Sequence, residues 1–85
     1  MEILHTDDFV RALEKLPLEI QELNALQEER FYINWLDPRL HLKKLRGERG
    51  VFSYRITRRY RGFFYLQRPD RAIFFDIDHR KDAYR

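Results

Sequence analysis

Val51–Leu66, VFSYRITRRYRGFFYL, is the stretch that decides how the rest of the chain is read. In its first half Phe52, Tyr54 and Ile56 alternate with Ser53, Arg55 and Thr57, the two-residue period of a half-buried strand. In its second half Tyr60, Gly62, Phe64 and Leu66 alternate with Arg61, Phe63 and Tyr65. A two-residue loop at Arg58–Arg59 would need positive φ without glycine or asparagine, which is unfavourable, and would part Arg61 from Arg55. One more loop residue puts both arginines on one face and Phe52, Tyr54, Ile56, Phe64 and Leu66 on the other. A slip of one residue flips every side chain, so the choice of loop decides the chemistry of each face. The longer loop is preferred. One face is then a core, and the other a cationic platform edged with aromatics.

Outward from this pair, composition sets the bounds. A chain of 85 residues has room for one core, so a single domain over residues 1–85 is expected. Without cysteine there is no disulfide framework and no thiolate metal site, and a reducing compartment fits. No apolar run approaches the roughly 20 residues needed to cross a membrane, and Met1 opens no secretory signal. The net charge of +3 conceals an asymmetry. Residues 1–30 carry three bases against eight acids, net −5; residues 31–85 carry fourteen against six, net +8. So dense a positive segment suits an anionic partner such as nucleic acid, although a solvated surface explains many charge runs.

Before the central pair, Glu2–His5 reads as a short strand, with His5 structural. Thr6 or Asp7 can cap a helix whose Phe9, Leu13 and Leu16 share a face. Pro17 ends that helix and opens a second, on which Ile20, Leu23 and Leu26 carry the apolar stripe on to Phe31. Asp37–Pro38 signals a turn. In Leu40–Gly47 the leucines can anchor to the core while Lys43, Lys44 and Arg46 stay in water. After the central pair, Pro69–Asp70 is a turn. Ala72–Asp78 follows as a strand with Ile73, Phe75 and Ile77 on one face and Phe74, Asp76 and Asp78 on the other. His79–Arg85 is a polar tail. The elements read βααβββ: an α+β fold with a helical hairpin on one face of a mainly antiparallel sheet.

In order and spacing, several short motifs resemble the RelE/ParE toxin superfamily of bacterial toxin–antitoxin systems. They are Phe9…Leu13…Leu16–Pro17, Lys43–Lys44–Leu45–Arg46–Gly47, Tyr54–Arg55–Ile56, Tyr60–Arg61 and His79–Arg80–Lys81–Asp82–Ala83–Tyr84. The resemblance implies a cytoplasmic, ribosome-dependent endoribonuclease that cuts mRNA in the ribosomal A site and is neutralised by a cognate antitoxin. It implies catalytic roles for Arg55, Arg61, Arg80 and Tyr84. RNA and rRNA contacts would fall to Lys43, Lys44, Arg46, Arg58 and Arg59. No metal or other cofactor is implied. In such a cleavage the ribose 2′-OH attacks the adjacent phosphate, and arginine's fixed, forked cation suits the developing charge. Arginine does not shuttle protons, so His79 and Tyr84 are the candidates for proton transfer. Ser53 stands where some members carry a lysine, Gly62 where an aliphatic residue is usual, and Asp78 where glycine often precedes the histidine. Structural readings stand beside these: Arg55 and Arg61 paired with Asp76, His79 capping a strand, Tyr84 packing on the sheet. Another class also stays open: a ParE-like gyrase inhibitor that cuts no RNA, or a degenerate toxin kept as a binding partner.

Overall fold

In the computed structural model, which describes residues 1–47 and 49–79, the central stretch forms two antiparallel strands. The elements are β1 (Glu2–His5), α1 (Asp7–Glu14), α2 (Leu18–Ile33), β2 (Lys43–Lys44), β3 (Val51–Arg55), β4 (Tyr60–Gln67) and β5 (Arg71–His79). They build a five-stranded sheet in the order β1-β5-β4-β3-β2, antiparallel except where β1 runs parallel to β5. This is the expected α+β architecture with one strand more. Two lysines at the sheet edge, paired with Phe52 and Ser53, make a strand too short for periodicity to reveal. A brief lysine-bearing edge discourages further strand addition.

The preferred register is the one formed. Arg55 pairs with Arg61, Tyr54 with Gly62 and Phe52 with Phe64, which leaves a three-residue loop at Thr57–Arg59. Both α-helices cover the same sheet face. Phe9 of α1 and Phe31 of α2 are buried against Tyr54, Phe64 and Phe74, and Phe31 meets Phe64 and Phe74 edge-on at 5.0 and 5.1 Å. Edge-to-face pairs of this kind set the positive ring rim against the negative face. Thr6 caps α1, its Oγ1 accepting from the Phe9 N–H at 3.1 Å, and Pro17 stands at the N-cap of α2.

Two expectations about faces need correction. On α2 the inward stripe is Ile20, Asn24, Gln27 and Phe31, whereas Leu23 and Leu26 are about two-fifths exposed. The spacing is helical, but the sheet beneath needs polar partners. The Tyr54 hydroxyl donates to Asn24 Oδ1 at 2.5 Å, and Gln27 Nε2 donates to the Arg55 carbonyl at 2.7 Å and to the Arg39 carbonyl at 3.0 Å. Leucine at positions 24 and 27 would leave a buried hydroxyl and two carbonyls unsatisfied. On β5 a bulge changes the phase: Phe63 pairs with Asp76 but Phe64 pairs with Phe74, so Phe75 is an extra residue. Ala72, Phe74 and Ile77 therefore face the helices, and Ile73, Asp76 and Asp78 face away.

Gly62 has a specific reason to be glycine. A Cβ there would run into the Tyr54 ring, which its bond to Asn24 holds in place. Gly62→Ala is expected to destabilise the fold by about 1–3 kcal/mol, the usual cost of overpacking. The readout is a lower urea midpoint with an unchanged denaturant slope; an unchanged midpoint would show that the ring can move aside.

The polar chain continues outward. Asn24 Nδ2 donates to Glu28 Oε2, and Glu28 Oε1 lies 2.7 Å from His5 Nε2, tying β1 to α2. Burial pushes the Tyr54 phenol well above its ordinary value, with the Glu28 charge adding to the shift. The hydrogen bond to Glu28 raises the His5 imidazole above 6.5 despite partial burial. A raised folded-state value means that this link is fully present below pH 6.5 and is lost as pH climbs through the folded value. The stability advantage of wild type over Glu28→Gln should therefore be larger at pH 5.5 than at pH 8.5 in urea titrations. An equal advantage at both would remove the histidine from the link.

Candidate functional site

The sheet face left open by the helices holds the candidate residues in cross-strand rows. One row runs Arg55, Arg61, Asp78; the next runs Lys43, Ser53, Phe63, Asp76; a third holds Val51, Tyr65 and Ile73. The paired arginines are thus neighbours on one face, and Asp78 rather than Asp76 stands opposite Arg61.

They are not an exposed platform, however. Arg61 is fully buried: its Nε donates to Ser53 Oγ at 3.0 Å and its Nη2 to the His41 carbonyl at 2.6 Å. The guanidinium leans across β3 toward the segment entering β2 and fastens β4, β3 and that segment together. That segment is itself shaped by Asp37. Its carboxylate takes Arg39 Nε and Nη2 at 3.1 and 2.7 Å and accepts the Arg39 N–H at 2.9 Å, which holds its carboxyl at about 2. The turn at Pro38–Leu40 buries Leu40 and leaves His41 at φ 48°, its carbonyl available to Arg61.

Arg55 is the arginine that reaches solvent, being half-buried at the end of β3. Its backbone is anchored by Gln27, which Arg30 orients through a 2.9 Å bond to Oε1. Its Nε is enclosed with no hydrogen-bond acceptor among the described residues. A guanidinium fixed at its root and open at its tip is placed to grip an anion, as a forked donor does with phosphate.

His79 is not gathered with them. It pairs with Tyr60 and stacks on that ring, centroids 4.5 Å apart and 11° from parallel, on the helix side at the end of the sheet. Arg80 and Tyr84, the other two catalytic candidates, lie outside the described residues. Lys43, Lys44 and Arg46 are exposed along the β2 edge, and Arg58 and Arg59 are exposed in the β3–β4 loop. The basic side chains therefore border the open face on two sides. Among the described residues no group of three or more His, Cys, Asp and Glu could hold a metal, and no helix is long and apolar enough to cross a membrane.

Sequence reasoning missed Gln27 as the anchor of Arg55, and Ser53 and the His41 carbonyl as the seat of Arg61. The signal for Gln27 was available: a polar residue recurring at the helical spacing of Ile20 and Phe31.

Solved structures share this fold. A chain of the RelB–RelE antitoxin–toxin complex from Methanococcus jannaschii is 28% identical, with a TM-score of 0.78 over 95% of this chain and 94% of its own. The RelBE2 toxin–antitoxin complex of Mycobacterium tuberculosis gives 28% identity and 0.69 over 93% and 96%. A YoeB/ParE toxin from Agrobacterium tumefaciens, at 15% identity and 0.78 over 93% and 98%, shares the fold alone. No family model and no curated protein matches the chain.

Proposed function

The chain is a member of the RelE/ParE toxin superfamily, and on that premise we propose that it is the toxin of a type II toxin–antitoxin system. Its activity is ribosome-dependent cleavage of mRNA, and a cognate antitoxin holds it inactive.

The observation that carries this reading is the Arg55–Arg61 cross-strand pair on the face that the helices leave open. The ribose 2′-oxygen loses its proton and bonds to phosphorus, and the bond from phosphorus to the 5′-oxygen breaks. The departing oxygen takes up a proton, which leaves a 2′,3′-cyclic phosphate and a 5′-hydroxyl. Negative charge grows on the non-bridging oxygens during this step, where a fixed guanidinium is most effective. Arg55 makes that contact. Arg61, buried behind it, is a positioning residue that also contributes positive potential. Proton transfer falls to residues at and beyond the end of β5: His79, which would have to turn away from its stack on Tyr60 to reach the phosphate, and Tyr84, with Arg80 adding charge. The exposed Lys43, Lys44, Arg46, Arg58 and Arg59 neutralise rRNA and mRNA phosphates.

Brief induction in cells tests the reading. Cuts should appear inside translated codons of mRNA, mapped by primer extension, and should vanish when the antitoxin is co-expressed. Intact transcripts with DNA damage would overturn it in favour of gyrase inhibition.

A further inference from the structure

Beside the arginine row, the open face contains a pocket of about 240 Å³ lined by Leu45, Val51, Phe63, Phe75 and Asp76. That is the volume of roughly eight water molecules, enough for a planar bicyclic ring. Its walls are apolar and partly exposed, and Tyr65 backs Phe75 at 5.8 Å between ring centroids. One lining group differs. Asp76 is exposed, and its Oδ1 accepts from the Ile77 N–H at 2.8 Å. Asp76 pairs with Phe63, one row from the Arg55–Arg61–Asp78 row, so about 7 Å along the strands separates the pocket from the arginines. This spacing suits a base whose own or adjoining phosphate is held by Arg55.

We propose that this pocket receives a guanine base of the RNA, with Asp76 as the residue that selects it. The proposal rests on the reading of the chain as an RNA-cleaving toxin. The two aromatic side chains offer a stacking surface that accepts any base. The carboxylate discriminates. Guanine alone presents two adjacent N–H donors, at N1 and N2, that match both carboxylate oxygens. Adenine and cytosine set an acceptor beside their amino donor, facing the second oxygen. Uracil flanks its single N–H with carbonyls. An aliphatic side chain from a protein partner would fill the same walls but would desolvate the carboxylate without compensation, which favours the base. Lys43 in the same row and Arg55 in the adjoining one supply the positive field that a nucleotide needs and an apolar peptide does not.

The test is an amide NMR titration of the antitoxin-free protein with 5′-GMP, AMP, CMP and UMP, paired with cleavage on ribosomes carrying A-site codons varied at each position. Val51, Phe63, Phe75 and Asp76 should shift with GMP at a concentration at least about tenfold lower than with the other three, the discrimination that a two-donor contact gives. Cleavage should favour guanine at one codon position. Asp76→Asn exchanges one acceptor for a donor, so it should abolish the guanine preference and raise the response to adenine. Equal response to all four nucleotides, no response, or a preference that survives Asp76→Asn would overturn the proposal. So would shifts at these residues produced by the antitoxin alone, which would give the pocket to that partner. GMP binding without cleavage would sink the nuclease reading and leave the base pocket standing. Cleavage indifferent to base, with no GMP shifts, would do the reverse.

Discussion

Arg61→Ala should lower stability by about 2–4 kcal/mol as well as abolish activity. The side chain is fully buried, so truncation opens a cavity and strips donors from Ser53 Oγ and the His41 carbonyl. Each loss belongs to the expensive class: large-to-small change in a packed site, and a buried acceptor left unsatisfied. A chain of this length holds only about 4–13 kcal/mol in total, so the variant should show a much lower urea midpoint and weakened attachment of the segment leading into β2. Arg61→Lys keeps the charge but not the fork, and should recover only part of the loss. A wild-type midpoint for Arg61→Ala would show that the buried guanidinium contributes nothing net to the fold.

Arg55→Ala should give the opposite pattern. Here the backbone is held independently by Gln27 and the side chain reaches solvent, so the fold should change by less than about 1 kcal/mol. Single-turnover cleavage on programmed ribosomes should fall by about 10²–10³, the cost of losing one donor group aimed at transition-state charge. Arg55→Lys should lie between, because a point charge replaces a bidentate fork. A rate within threefold of wild type for Arg55→Ala would remove it from the phosphate. The two arginines are adjacent and chemically identical, yet one variant is expected to fail in the test tube of urea and the other on the ribosome.

That difference was invisible in the sequence, although the pairing itself was legible. Alternation in Val51–Leu66 and the lack of a residue suited to a tight turn placed Arg55 and Arg61 together, and they are direct partners. Burial of Arg61 depends on a carbonyl twenty residues earlier, presented by a left-handed turn at His41, and no local pattern encodes it. On α2 the period was readable but its content misled: Leu23 and Leu26 look like core, whereas the face beneath needs Asn24 and Gln27 to satisfy Tyr54 and the Arg55 carbonyl. On β5 strict alternation failed at one residue, because two successive pairs with β4 cannot be kept in phase through Phe75.

That single residue governs more than packing. With Phe75 present, the strand before it and the strand after it keep separate counts: Ala72 and Phe74 meet the helices on one count, Ile77 and His79 on the other. Drawing it into the ladder as an ordinary paired residue would merge the counts: Asp76 and Asp78 would swing beneath the helices while Ile77 and His79 swung out beside Arg55 and Arg61. Deleting it would leave every pair with β4 on its present face. A residue gained or lost anywhere else in β5 reverses one of the two counts, and no substitution restores a parity, so this strand can change in composition more freely than in length.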